Sequence, residues 1–229
     1  MNALQDPEFG TITLRRSKLA RHVRLKLDTR GGISISLPMR TPLLIAKQLL
    51  NESRQHLRRM LGDIQANQRT YTNGDQIGKS HILRFEAGGE QYGHDIIDNL
   101  LIISHPLNPH TQKLQVALQK AILAALRLQA KAYLSRRLQQ FAELYDFSYS
   151  KLRFSSASTR WGSCSSQKTI SLNIWLMELP FELIDYVLIH ELCHTKEMNH
   201  SPRFWHLVED FCPDYKFHRK QLKQFRPQS

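Results

Sequence analysis

In the stretch HVRLKLDTRGGISISL, apolar and polar positions alternate. Val23, Leu25 and Leu27 are separated by Arg24 and Lys26, and Ile33, Ile35 and Leu37 by Ser34 and Ser36. Two period-two runs around residues 28–32 predict a hairpin with one buried face, because successive strand side chains point to opposite sides. Pro38 stops the second run. The period then changes: Leu43, Ala46, Leu50, Leu57 and Leu61 recur at helical spacing. Thr41 supplies an N-cap, and Pro42 suits the first helical position. Strands are expected again at 81–87 and 100–104, divided by the turn-rich TNGDQIG and AGGEQYG. Residues 114–147 contain neither Gly nor Pro. There Leu114, Leu118, Ala121, Ala125, Leu128 and Ala132 draw one stripe, predicting one long helix or two abutting ones. The opening MNALQDPEFG is polar and is given no weight in the fold.

The last third changes character. KLRFSSAS and TISLNIWL read as strands flanking the turn TRWGSCSSQK. Pro180 opens a helix, PFELIDYVLIHELCHTKE, with Glu182 and Asp185 where the helix dipole favours acids. Ile184, Val187, Leu188 and Leu192 give it a buried face. SPRFWHLVEDFC is a second short helix, with Ser201 as N-cap and Pro202 at its first position. DYKFHRKQLKQF is a basic terminal helix. The elements together predict an α+β protein: a β-rich α+β region over 1–105, then a region over 106–229 with a small sheet and a site-bearing helix.

Composition narrows the class. The chain has 229 residues, 41% hydrophobic and 23% charged, as in an ordinary soluble domain or pair of domains. No run approaches the ~20 apolar residues of a membrane span; AILAALRLQA is broken by Arg127. The amino terminus lacks the apolar core of a secretory signal. Three scattered cysteines, Cys164, Cys193 and Cys212, cannot all pair, which fits a reducing, cytoplasmic setting. The net charge of +12 favours acidic partners such as nucleic acid, nucleotides or an anionic surface.

The chemistry lies in HELCHTKEMNH, residues 190–200. Residues four apart on a helix are offset by only about 40°, so His190 and His194 can face one ion. Glu191 sits beside them, placed to touch a water rather than the ion. A catalytic zinc site takes three protein ligands and leaves one position open. A continuous helix would carry His200 about 600° past His194, so that residue ligates only if the chain turns. Asn199 tolerates the left-handed conformation, and Ser201-Pro202 signals a fresh start, placing the break between Glu197 and Ser201. His200 is the preferred third ligand, with Glu209 and Glu197 as rivals. Cys193, Cys164 and Cys212 are read as packing residues.

The run TRWGSCSSQKTISLNIWLMELPFELIDYVLIHELCHTKEMNHSPRFWHLVEDFCPDYK resembles the YgjP-like metallopeptidase domain family, and RRSKLARHVRLKLDTRGGISISLP resembles that family's opening. The resemblance implies a zincin-like fold, related to the SprT-like proteases. It implies His190, His194 and His200 as metal ligands and Glu191 as general base. It also implies that RWGSCS shapes the rim of a cleft, bringing Arg160, Trp161, Gly162 and Ser163 near substrate. Asn173, from the SLN motif, joins them, and TISLNIWL pairs with an extended peptide by its edge. Alternatively, Trp161 and Gly162 make only a tight packed turn. Arg160 is a candidate for stabilising an oxyanion. The spacing to His200 also matches metzincins, but Glu197 stands where those have glycine and no methionine follows Met198.

Three function classes follow. A zinc peptidase would act on protein or peptide substrate. A metal-dependent phosphohydrolase would act on nucleotides, although no P-loop is present and Gly31-Gly32 and Gly88-Gly89 read as hairpin turns. A nucleic-acid-binding protein with a structural metal would use the basic runs, since residues 1–60 hold twelve Lys/Arg against four Asp/Glu, a balance of +8.

Overall fold

The computed structural model describes residues 3–27, 32–66 and 70–227. The chain divides into two compact units, Met1–Thr70 and Tyr71–Ser229. The sequence placed a boundary at 105/106. Instead, strands before it share a core with the long helix after it, because Leu83, Leu101 and Ile103 pack in one cluster with Ala121, Ala125 and Leu126.

In the first unit, strands β1 (Ala3–Asp6), β2 (Gly10–Ser17), β3 (Arg24–Leu27) and β4 (Ile33–Pro38) form one sheet in the order β1-β2-β4-β3. The expected β3–β4 pairing is present, with Leu25 opposite Ile35; the turn at 28–31 lies outside the described residues. Ile12, Leu14, Ile33, Ile35 and Leu37 bury one face against Ala46, Leu50 and Leu57. Those three come from α1 (Leu43–Glu52) and α2 (Arg54–Ala66), so the single expected helix is two, interrupted at Ser53. Pro42, not Thr41, takes the N-cap position of α1, with no side-chain cap.

The discounted opening residues are structural. Ala3–Asp6 is an edge strand, and Arg54 grips Asp6 through Nη2 at 2.6 Å and Glu8 through Nη1 at 2.7 Å. Burial raises the Asp6 carboxyl, but the Arg54 guanidinium and the Phe9 and Glu8 amides outweigh it and hold the group below its usual range.

The second unit begins with β5 (Gln76–Ile77), β6 (His81–Ala87), β7 (Gly93–Ile97) and β8 (Leu100–His105), in the order β5-β6-β8-β7. Helix α3 (Thr111–Leu144) packs on this sheet. Its predicted stripe holds at Ala121 and Ala125 but then rotates, so Leu126, Ala130 and Leu134 are buried while Leu128 is 52% exposed. A second small sheet follows, β9 (Lys151–Ser155), β10 (Gly162–Cys164) and β11 (Thr169–Asn173), ordered β10-β11-β9. A 3-10 turn (Ile174–Glu178) leads to α4 (Phe181–Cys193), α5 (Pro202–Phe211) and α6 (Tyr215–Leu222). The fold is mixed α+β with several small sheets. Among the described residues, no helix is long and apolar enough to cross a membrane.

Candidate metal centre

Helix α4 is buried nearly all round, at Leu183, Ile184, Tyr186, Val187, Leu188, Ile189 and Leu192, and it carries His190 and Glu191. It ends at Cys193, four residues short of the expected Glu197. His194 stands at the C-cap, still with helical φ and ψ (−64°, −17°), so it keeps its one-face relation to His190. Thr195 explains the early stop. Its hydroxyl donates to the Leu192 carbonyl at 2.7 Å and its N–H to the same oxygen at 2.9 Å. The N–H groups of Lys196 and Glu197 both turn back to Cys193 O. These tightened bonds satisfy the last carbonyls and release the chain to turn. The corner needs no left-handed Asn199: the described non-glycine residues with positive φ are Asp98, Asp146 and Lys168. Ser201 then accepts from the Phe204 N–H and opens α5.

The corner swings His200 back. Its Nε2 lies 3.2 Å from His190 Nε2, and the ligand atoms of His190, His194 and His200 all lie within 4.8 Å of one another. Both carboxylate rivals are engaged elsewhere, Glu209 with Lys216 at 3.2 Å and Glu197 with Arg203 at 2.8 Å. The Glu197 carbonyl has a different use. It accepts from His194 Nδ1 at 3.0 Å, so the proton sits on Nδ1 and Nε2 keeps its lone pair.

An aromatic wall fixes the rings. The fully enclosed Phe204 stacks on His194 at 4.4 Å between centroids, and Trp205 lies 5.5 Å from the His200 ring. Trp205 is stacked in turn on Tyr215 and covered by Arg219 at 4.5 Å.

The electrostatics suit a cation. Burial, then the neighbouring His194, His200 and Arg219, pushes His190 down to about 3. Burial lowers His194 as well, against the pull of the Glu197 carbonyl. Neutral imidazoles are ligands, whereas imidazolium is not. Glu191 is 5% exposed, and its Oε2 is buried with no hydrogen-bond partner among the described residues. Burial pushes its carboxyl up to about 8, and Arg160 draws it the other way. Three clustered imidazoles, with a buried carboxyl oxygen on the residue next to His190, are a donor set that fits a divalent metal ion. The thiols stand apart: burial, then Glu191, raises Cys164 to about 11, and burial raises Cys193 to about 12.

Gly162 sets where Glu191 can be. A Cβ on Gly162 would meet Glu191 Oε1 at 2.5 Å and Cδ and Cγ at 2.7 Å. The carboxylate thus occupies the space a side chain on β10 would fill. Residues 160–163 all lie on or beside this strand, with Arg160 exposed, Trp161 and Ser163 half-buried, and Trp161 packed against the core. Asn173, expected to touch substrate, is fully enclosed. Its Nδ2 donates to the carbonyls of Ala157 (2.6 Å) and Arg160 (2.8 Å), and its Oδ1 accepts from the Trp175 N–H. Its work is to hold the turn that carries Arg160 and Trp161. The expectation that TISLNIWL pairs by its edge also changes, because β11 is flanked on both sides and β10 and β9 are the edge strands.

Two neighbours of the centre went unread in the sequence. Tyr186, one helical turn before His190, has its ring 5.9 Å away, and the four-residue spacing was a usable signal. Arg219 arrives from α6, with no local signal.

The match to the YgjP-like metallopeptidase domain spans residues 21–225, nearly the whole chain. The chain belongs to this family. The YgjP-like assignment makes it a metallopeptidase-domain protein and favours a peptide partner; it gives no support to a nucleic-acid or nucleotide partner. No curated protein matches the chain. Solved structures similar to part of it include two metallopeptidase zymogens. The metallopeptidase zymogen of Pyrococcus abyssi abylysin is 24% identical, over 40% of this chain and 93% of that one, with a TM-score of 0.36. The zymogen of Methanocaldococcus jannaschii jannalysin is 22% identical, over 38% and 93%, with a TM-score of 0.33. Likenesses this partial carry no functional weight.

Proposed function

We propose that this YgjP-like protein is a zinc-dependent, zincin-like peptidase. His190, His194 and His200 would hold one ion, and Glu191 would serve as general base. The observation that carries this reading is the convergence of three imidazoles beside an enclosed glutamate whose Oε2 has no protein partner among the described residues. When bound, zinc supplies Lewis acidity that makes a water ionise near neutral pH.

The chain's own groups do the rest. Glu191 takes the proton of the attacking water at its free Oε2, then passes it to the nitrogen of the departing amine. Gly162 keeps the carboxylate in position by offering no side chain. The Glu197 carbonyl holds the His194 tautomer, and the Phe204–Trp205 wall packs against the rings. The outer edge of β10 offers unpaired backbone groups to an extended peptide, which would add to the sheet as a further strand. Arg160, exposed two residues before that strand, would meet a substrate carbonyl.

The full-length protein, loaded with zinc, should cleave an unfolded protein. Glu191→Gln should lower that rate by at least a hundredfold, in the range of general-base loss, while keeping about one zinc per chain. His200→Ala should lose the metal. Cleavage that survives in Glu191→Gln would overturn the assignment.

A further inference from the structure

The first unit has a sheet face that its helices do not use. Strand alternation sends Ile12, Leu14, Ile33, Ile35 and Leu37 inward to α1 and α2. The register then fixes the composition of the opposite face. Arg15 on β2 is level with Ser36 on β4, and Ser36 with Arg24 on β3. One step along, Thr13 is level with Ser34, and Ser34 with Lys26. Thr11 pairs on from β1, where its hydroxyl donates to Gln5 Oε1 at 3.1 Å. Hydroxyls thus line the middle of this face and cations flank it. Arg15, Arg24 and Lys26 are exposed, whereas Ser34 and Ser36 lie half-buried between them.

Charge is sorted between the two sides of the unit. Asp6 and Glu8 are taken up by Arg54 and Arg58 of α2, and Glu52 accepts from Gln48. Arg16, which points the other way from Arg15, donates to the carbonyls of Pro38, Met39 and Thr41. The carboxylates of the helix side are therefore taken up within it, whereas Lys47 of α1 and Arg59 of α2 have no ion-pair partner among the described residues. On the outer face the described residues include no carboxylate, and Arg15, Arg24 and Lys26 have no ion-pair partner among them. Arginines held that way are structural; cations left unpaired around hydroxyl donors match phosphate oxygens.

We infer that the outer face of the β1-β2-β4-β3 sheet binds the phosphate backbone of double-stranded nucleic acid without regard to sequence. The lack of aromatic side chains among the described residues of this face argues for a duplex over a single strand, which is bound largely by stacking. The lack of large apolar side chains there argues against a lipid surface, whose binding needs apolar insertion. Unpaired cations and neutral hydroxyls suit repeated phosphates better than the scattered carboxylates of an acidic protein. This inference is independent of the metal centre and stands or falls apart from the peptidase reading.

The test uses the full-length protein and a fluorescent random-sequence 20-base-pair DNA duplex, read by anisotropy across a salt series. Wild type should bind, with log K falling linearly in log salt. Arg15→Glu/Arg24→Glu/Lys26→Glu should weaken binding at least tenfold. The milder Arg15→Gln/Arg24→Gln/Lys26→Gln should lower the salt slope by about 2 to 3, since each phosphate contact contributes about 0.9. A control with the same charge change away from this face, Arg40→Glu/Lys47→Glu/Arg59→Glu, should weaken binding less than threefold. Thermal melts establish that each variant is folded, and the glutamine variant keeps the test decisive if the glutamate one is not. Equal loss in the control set means that bulk charge alone drives binding, and overturns the site. Absent or salt-insensitive duplex binding overturns it too, as does tighter binding to single strands or to phosphatidylserine vesicles.

Discussion

At the scale of single residues, the site turns on what is missing from position 162. The Glu191 carboxyl lies where any β-carbon on Gly162 would be, and the obstructing atoms belong to a buried side chain with little room to retreat. Gly162→Ala should therefore displace Glu191 while leaving the three imidazoles untouched. A misplacement of about 1 Å typically costs about a hundredfold in rate. The expected result is a fall of that order in kcat with zinc stoichiometry unchanged; wild-type kcat would show that Glu191 is free to shift without loss. This role was not legible in RWGSCS, where glycine reads equally as a tight turn or a cleft residue. The histidine pair was legible, because a four-residue helical offset is a local property. His200 was legible only as a consequence of a turn, and that turn was foreseen for the wrong reason. Thr195, a helical back-bonder, ends α4; a left-handed Asn199 does not.

At the scale of elements, the long and strongly patterned segments could be read directly: α3, β6, β8, and α5 with its Ser201 cap and Pro202 start. β9 and β11 were legible too, in KLRFSSAS and TISLNIWL, but the shortest strand was not. β10 has three residues, Gly-Ser-Cys, and exists because β11 pairs with it; β11 also pairs in parallel with β9. A strand of three residues is defined by its non-local partner and leaves no period in the sequence. Asn173 connects these pieces by hydrogen-bonding the 157–160 turn and the start of the 3-10 segment. Asn173→Ala would leave the Ala157 and Arg160 carbonyls and the Trp175 N–H without their side-chain partner. At roughly 1 kcal/mol or more per buried bond, the loss should be about 3 kcal/mol, measured by denaturant unfolding with an unchanged m-value. A loss below 1 kcal/mol would show that water replaces the amide. Zinc added in excess should recover part of the stability only if the centre still assembles.

At the scale of the whole molecule, the chain builds two separate cores, and the first is closed by charge as well as by apolar contact. Asp6 is nearly enclosed, with a side chain 6% exposed, and its carboxylate takes Arg54 at 2.6 Å and the amides of Glu8 and Phe9. Because its folded pKa lies below the unfolded one, the ionised form is favoured by folding. The stability this confers is complete above the unfolded value of about 3.9 and is lost as pH falls through the lower, folded value. Acid should therefore loosen the first unit below about pH 4, beginning at β1 and the start of α2, where Arg54 would lose its partner. Hydrogen exchange on the full-length protein at pH 5 and pH 3 resolves this segment by segment. Protection over residues 3–17 and 54–62 should drop at the lower pH. Asp6→Asn should lower it already at pH 5 and remove most of the difference between the two conditions, since asparagine cannot titrate. If the acid sensitivity of that segment persists in Asp6→Asn, the latch lies in the more exposed Glu8 pair with Arg54 and Arg58, and the β1 edge is held by a different carboxylate from the one its burial singles out.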